Sequence, residues 1–121
     1  MMPSSTQVGK LGEKIATDFL TTKGFMIKER NFRTKSGEID IIAQKDRTIF
    51  FIEVKTRVGI KKGKPYESVT PRKLSHLKHT SELYVLQNNL KTYKLSLNVI
   101  SIILSKDQKV QKLDYFDDVM L

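Results

Sequence analysis

The sequence predicts an α/β sandwich in which helices flank a central mixed sheet, in the order α-β-β-β-α-β. Three observations predict it. Apolar residues recur at helical spacing early in the chain and again after Pro71. Two β-rich segments are joined by a short polar turn, and a long apolar strand-like run lies near the end. The 121 residues, 39% of them hydrophobic, fit one domain over 1–121, with residues 1–8 read as a polar N-terminal segment.

The first helix is expected over Lys10–Lys23. Leu11, Ile15 and Phe19 fall at i, i+4 and i+8, Ala16 and Leu20 widen the stripe, and Gly24 ends it. Gly9 and Gly12 lie near the same face, where a missing side chain lets another element approach closely. Glu13 sits at the edge of the stripe and, by itself, reads as a plain boundary residue. Phe25–Phe32 carries the weakest strand signal. Gly37–Gln44 and Thr48–Arg57 are β-rich and separated by Lys45-Asp46-Arg47, which predicts a hairpin. After a loop holding Gly59, Gly63 and Pro65, Thr70 is a good N-cap and Pro71 suits the first helical position. Leu74, Leu77 and Tyr84 carry this second helix to about Asn88-Asn89. Tyr93–Leu104 reads as a buried strand and Lys109–Tyr115 as an edge strand.

Composition narrows the function. Lysine and arginine number 22 against 13 acids, a net charge of +9, which points to an anionic partner, above all nucleic acid. The excess is uneven: Lys55, Arg57, Lys61, Lys62, Lys64, Arg72, Lys73 and Lys78 face a single acid, Glu67, over Lys55–Lys78. A solvated surface would account for such a tract, but it directly follows the most unusual strand of the chain. Cysteine is absent, excluding disulfides and thiolate metal sites. Met1-Met2-Pro3-Ser4-Ser5-Thr6-Gln7 has neither the basic start nor the apolar stretch of a signal peptide, and no apolar run is long enough to span a bilayer. The expected setting is cytoplasmic, with no membrane partner.

The hairpin carries the chemistry. If it turns about Asp46-Arg47, Ile39 faces Val54, Ile41 faces Ile52 and Ala43 faces Phe50, an apolar face. On the other face Ile42 meets Phe51, Glu38 meets Lys55, and Asp40 meets Glu53. Two carboxylates directly opposite repel, and apolar neighbours raise the cost of charge. Either one acid is protonated, its pKa raised, or a divalent cation lies between them. Hard oxygen ligands suit Mg²⁺ or Mn²⁺, with water and substrate phosphate completing the shell. Lys55, two residues beyond Glu53, shares its face, where an ammonium can orient an attacking water or steady charge developing on a phosphate. The plainer alternative is a Lys55 that only pairs with Glu38 or Glu53 at a strand end.

Asp40 followed by Glu53-Val54-Lys55 resembles the core of the PD-(D/E)XK nucleases. More closely, GKLGEKIATDFLTTKGFMIKERNFRTKSGEIDIIAQ, FFIEVKTR and KPYESVTPRKLSHL resemble the YraN-like family of small bacterial proteins, related in fold to archaeal Holliday junction resolvases. The resemblance covers residues 9–104, the expected domain core. It implies a restriction-endonuclease-like sandwich, metal binding by Asp40 and Glu53, catalysis by Lys55, and Glu13 completing the acidic cluster from the first helix. One departure is plain: where the family has an Asp on the later strand, this chain has Asn98 in Leu97-Asn98-Val99-Ile100, which puts a supporting contact in doubt.

The reading is therefore a metal-dependent endonuclease acting on DNA in preference to RNA, with branched or junction DNA as a candidate substrate. Arg57, Lys61, Lys62, Lys64, Arg72 and Lys73 are the expected nucleic-acid contacts, and Mg²⁺ or Mn²⁺ the cofactor. Cutting both strands of a junction would require two active sites, hence a homodimer. The alternative is a binding module that keeps the fold and basic surface with little or no activity. A basic structural protein of ribosome or nucleoid would explain the charge but not the acid pair. His76 and His79, three apart on the second helix, read as surface residues because no third zinc ligand accompanies them.

Overall fold

The computed structural model describes residues 3–119. Its elements run α1 (Ser5–Thr22), β1 (Met26–Thr34), β2 (Gly37–Lys45), β3 (Thr48–Val58), a 3₁₀ turn (Pro65–Ser68), α2 (Pro71–Gln87), β4 (Lys94–Leu104) and β5 (Val110–Phe116). The five strands form one sheet in sequential order. β1–β2, β2–β3 and β4–β5 pair antiparallel, and β3–β4 pairs parallel, with α2 as the crossover. The sheet is mixed, as the sequence predicts.

Each helix covers one face. Ala16 and Leu20 of α1 pack with Ile41, Ala43, Ile52, Val54, Ile100, Ile102 and Leu104. Leu77 and Tyr84 of α2 pack with Ile39, Ile42, Ile49, Phe51, Leu90 and Leu97 on the opposite face. A sheet buried on both sides explains the near-continuous apolar run of β4. Among the described residues no helix is long and apolar enough to cross a membrane.

Local signals fix most boundaries. Thr70 caps α2 through the N–H of Lys73, with Pro71 at the first helical position. Asp46 adopts a positive φ of 54° in the β2–β3 turn, a conformation Asp tolerates. α1 starts earlier than its apolar stripe suggests. Ser4 accepts from Gln7 N–H while Gln7 Oε1 accepts from Ser4 N–H, a capping box that draws residues 5–8 out of the expected polar segment into the helix. Val8 then packs against the α1-side core.

Gly12 performs the role anticipated for it, since a Cβ there would collide with Thr56 of β3; Gly9 faces open space.

Candidate functional site

The β2–β3 register is the expected one from Lys45↔Thr48 to Ile41↔Ile52, and there it stops. Beyond that point β2 stays paired with β1, Phe32 opposite Ile39, while β3 stays paired with β4. The two strands part into a fork, and this corrects the expected facing of Ile39 with Val54 and of Glu38 with Lys55. Ile39 joins the α2-side core with Phe51, whereas Ile41 packs on the α1 side. Glu38 pairs with Arg33 of β1 instead, at 3.4 Å.

Asp40 and Glu53 stand at the mouth of this fork without a ladder pair between them. Asp40 Oδ2 accepts the backbone N–H of Val54 at 2.8 Å, so the side chain takes the place of the interrupted ladder. Burial and the negative charge of Glu53 push the Asp40 carboxyl up to about 7, against the favourable Val54 hydrogen bond. Glu53 is paired with the ammonium of Lys55 at 3.2 Å. Among the described residues no cation pairs with Asp40.

Glu13 enters from α1. Its proton affinity is raised by burial, and the charges of Glu38 and Glu53 add to that; the side chain of Asn31 and the Arg30 guanidinium, at 3.9 Å, oppose it. Four carboxylates, Glu13, Glu38, Asp40 and Glu53, thus share one electrostatic neighbourhood.

A cleft of about 230 Å³ opens over the fork, lined by Gly37, Glu38, Asp40, Glu53 and Lys55 from the sheet and by Lys73, His76 and Leu77 from α2. Asp40 and Glu53 offer hard oxygen donors, one of them without a cationic partner, which fits a hard divalent cation such as Mg²⁺ or Mn²⁺. Among the described residues no three His, Asp or Glu side chains converge as a complete metal cage. Water and a substrate phosphate would have to supply the remaining ligands, the ordinary situation for Mg²⁺.

The basic residues separate into groups. Lys73 lines the acidic cleft itself. Arg57, Lys61 and Lys62 line a second cleft of about 370 Å³ with Ser5 and Val8 of α1. Lys64 lies over the ring of Tyr66, 5.8 Å from its centroid, and Arg72 is exposed in the first turn of α2. His76, expected with His79 to be a surface residue, is exposed as expected and also lines the cleft, a position that depends on how α2 is rotated against the sheet. His79 does not line the cleft.

Asn98 is fully buried and fully engaged. Its amide donates to Ser96 O and Oγ at 3.1 and 3.2 Å, and its Oδ1 accepts from Tyr115 Oη at 2.9 Å and from Asp118 N–H at 3.4 Å. The amide found here clasps β5 to β4, a structural contact one strand removed from the fork.

Residues 12–103 match the model of an uncharacterised protein family, UPF0102. Similar proteins include UPF0102 proteins of Dictyoglomus thermophilum, 43% identical over 93% of this chain and 95% of that one, and of Caldicellulosiruptor bescii, 41% identical over 93% and 95%. A third, from Clostridium botulinum, is 43% identical over 81% of this chain and 80% of its own.

Proposed function

The chain belongs to uncharacterised protein family UPF0102, and from that premise we propose that it is a metal-dependent endonuclease of the PD-(D/E)XK type, hydrolysing phosphodiester bonds in DNA, branched DNA included. The observation that carries the reading is the fork: Asp40, with raised proton affinity and no cationic partner, shares a cleft with Glu53, Lys55 and Lys73. Asp40 and Glu53 would hold Mg²⁺ or Mn²⁺, which supplies Lewis acidity toward a phosphoryl oxygen. The residues do the rest. Lys55, beside Glu53 at 3.2 Å, aligns the attacking water and steadies charge on the phosphate. Lys73 holds the same phosphate from α2. Glu13 does not line the cleft; it adds its negative charge to the Asp40 site from α1, and Arg57, Lys61, Lys62, Lys64 and Arg72 carry the flanking backbone.

The Lys55–Glu53 ion pair favours a second reading, a nucleic-acid-binding module in which those two residues satisfy each other and no cleavage occurs. Labelled duplex, single strand, flap and four-way junction, incubated with Mn²⁺, Mg²⁺ or EDTA, separate the two. The endonuclease cuts at least one substrate with Mn²⁺ or Mg²⁺ and none in EDTA; binding without metal-dependent cutting of any substrate leaves the module.

A further inference from the structure

Beside the acidic cleft lies a hollow of different chemistry. It measures about 150 Å³ and is lined by Tyr66, Val69, Leu74, Val99, Phe116 and Val119, with no charged residue among them. Its position follows from the sheet. Val99 of β4 is the parallel partner of Glu53, and Phe116 of β5 is the antiparallel partner of Val99, so Glu53, Val99 and Phe116 form one row. The hollow therefore begins about 4.8 Å, one strand spacing, from the acid that borders the cleft. α2 joins the two spaces as well: Lys73 lines the cleft and its neighbour Leu74 lines the hollow.

We propose that this hollow receives one unpaired base of the strand whose phosphate lies at Asp40 and Glu53, so that the favoured substrates carry an unpaired nucleotide next to the cleaved bond. The proposal rests on the nuclease reading for the presence of a nucleic acid. Three features select a base over an aliphatic protein side chain. Its walls include two aromatic rings, Tyr66 and Phe116, with centroids 5.2 Å apart and planes at 62°, so a flat ligand stacks on one and meets the edge of the other. Tyr66 is held in place through its backbone N–H, which donates to Ser101 Oγ at 3.1 Å, and Phe116 is exposed despite its size. Cations stand beside it, with Lys64 over Tyr66 and Lys73 in the cleft wall, whereas the acids Glu67 and Asp117 follow the two rings in sequence. An apolar slot beside a phosphate-binding strip matches a nucleotide, apolar face and anionic link together. Bases of an intact duplex are stacked inside the helix and cannot enter.

The test uses the full chain in EDTA, where binding is read without cleavage. Oligonucleotides carrying 2-aminopurine, as single strand and as blunt duplex, are titrated with wild type, Phe116→Ala and Tyr66→Ala. The expected result is quenching of 2-aminopurine in the single strand, with single-strand Kd raised about 5- to 100-fold by either substitution, and duplex Kd unchanged. Because Phe116 is an exposed edge-strand residue, its variant keeps the fold even if Tyr66→Ala loosens the 3₁₀ turn. Equal weakening of both ligands by Phe116→Ala, or no weakening, overturns the base site while leaving nucleic-acid binding standing. Wild type that binds neither ligand, in EDTA or with Ca²⁺ in place of Mg²⁺, overturns both the site and the nuclease reading. A dimer of wild type that Phe116→Ala dissociates, with single-strand affinity unchanged, assigns the hollow to a second copy and overturns the proposal.

Discussion

Lys55 follows Glu53 by two positions, so strand alternation turns both into one cleft, where they stand 3.2 Å apart. A lysine that serves only as that partner would matter to stability; one that aligns water and phosphate matters to rate. Lys55→Ala is expected to lower metal-dependent cleavage by about 10²- to 10⁴-fold while the melting temperature and its rise on adding Mn²⁺ stay near wild type. Near-wild-type cleavage by this variant would remove Lys55 from the chemistry. That Asp40, Glu53 and Lys55 share one cleft was legible in the sequence, because a period of two leaves few alternatives within a hairpin; that Asp40 and Glu53 are not ladder partners was not. Nor were the cleft position of His76 and the clasp of Asn98, because both depend on contacts between elements distant in sequence: His76 on the rotation of α2, Asn98 on the return of β5.

At the scale of elements, α1 lies on β3 so closely that Gly12 meets Thr56, whose buried hydroxyl has no hydrogen-bond partner among the described residues. Alanine in a helix is ordinarily favoured over glycine by about 1 kcal/mol. Here the added methyl has no space, and Thr56 on a central strand cannot withdraw. Gly12→Ala is therefore expected to destabilise by about 1–3 kcal/mol in urea unfolding, with much of that stability recovered in the double variant with Thr56→Ala. A single variant more stable than wild type would show that the helix can shift. The apolar stripe of α1 with Gly12 beside it made a close approach legible, whereas Gly9, read the same way, faces open space. Its start was less so, since the stripe gives out at Leu11 and only the Ser4/Gln7 box carries the helix back to Ser5. The opening of the β2–β3 ladder was hidden for a related reason: pattern predicts pairing, while the Asp40–Val54 hydrogen bond that replaces it joins side chain to backbone.

Across the whole molecule, a net charge of +9 surrounds a fork that gathers four carboxylates, a distribution that on the proposed nuclease reading would draw in a polyanion and hold a cation at its centre. Neutralising Lys61, Lys62 and Lys64 together is expected to weaken duplex binding irrespective of sequence. It should also flatten the slope of log K against log salt by about 0.9 for each backbone phosphate these lysines neutralise. An unchanged slope would make them a solubilising surface only. The order of helices and strands was legible from periodicity and turn residues, so the sheet and its two covered faces followed; the fork did not. Its consequence is global, because the raised proton affinity of Asp40 is a property of the folded state. In the folded chain Asp40 holds its proton up to about pH 7, whereas the unfolded chain releases it in the usual carboxylate range. Metal-free wild type therefore loses stability as pH rises through that interval, and the penalty is complete above it. Asp40→Asn keeps an oxygen for the Val54 N–H and removes the charge. The decisive measurement is the thermal melt of wild type and Asp40→Asn at pH 8, each in EDTA and in Mn²⁺. Asp40→Asn is expected to be the more stable in EDTA by on the order of 1–3 kcal/mol, and Mn²⁺ to narrow or reverse the gap because wild type gains more from the cation. An Asn variant that melts lower in EDTA, by a margin Mn²⁺ leaves unchanged, would contradict a metal site at Asp40.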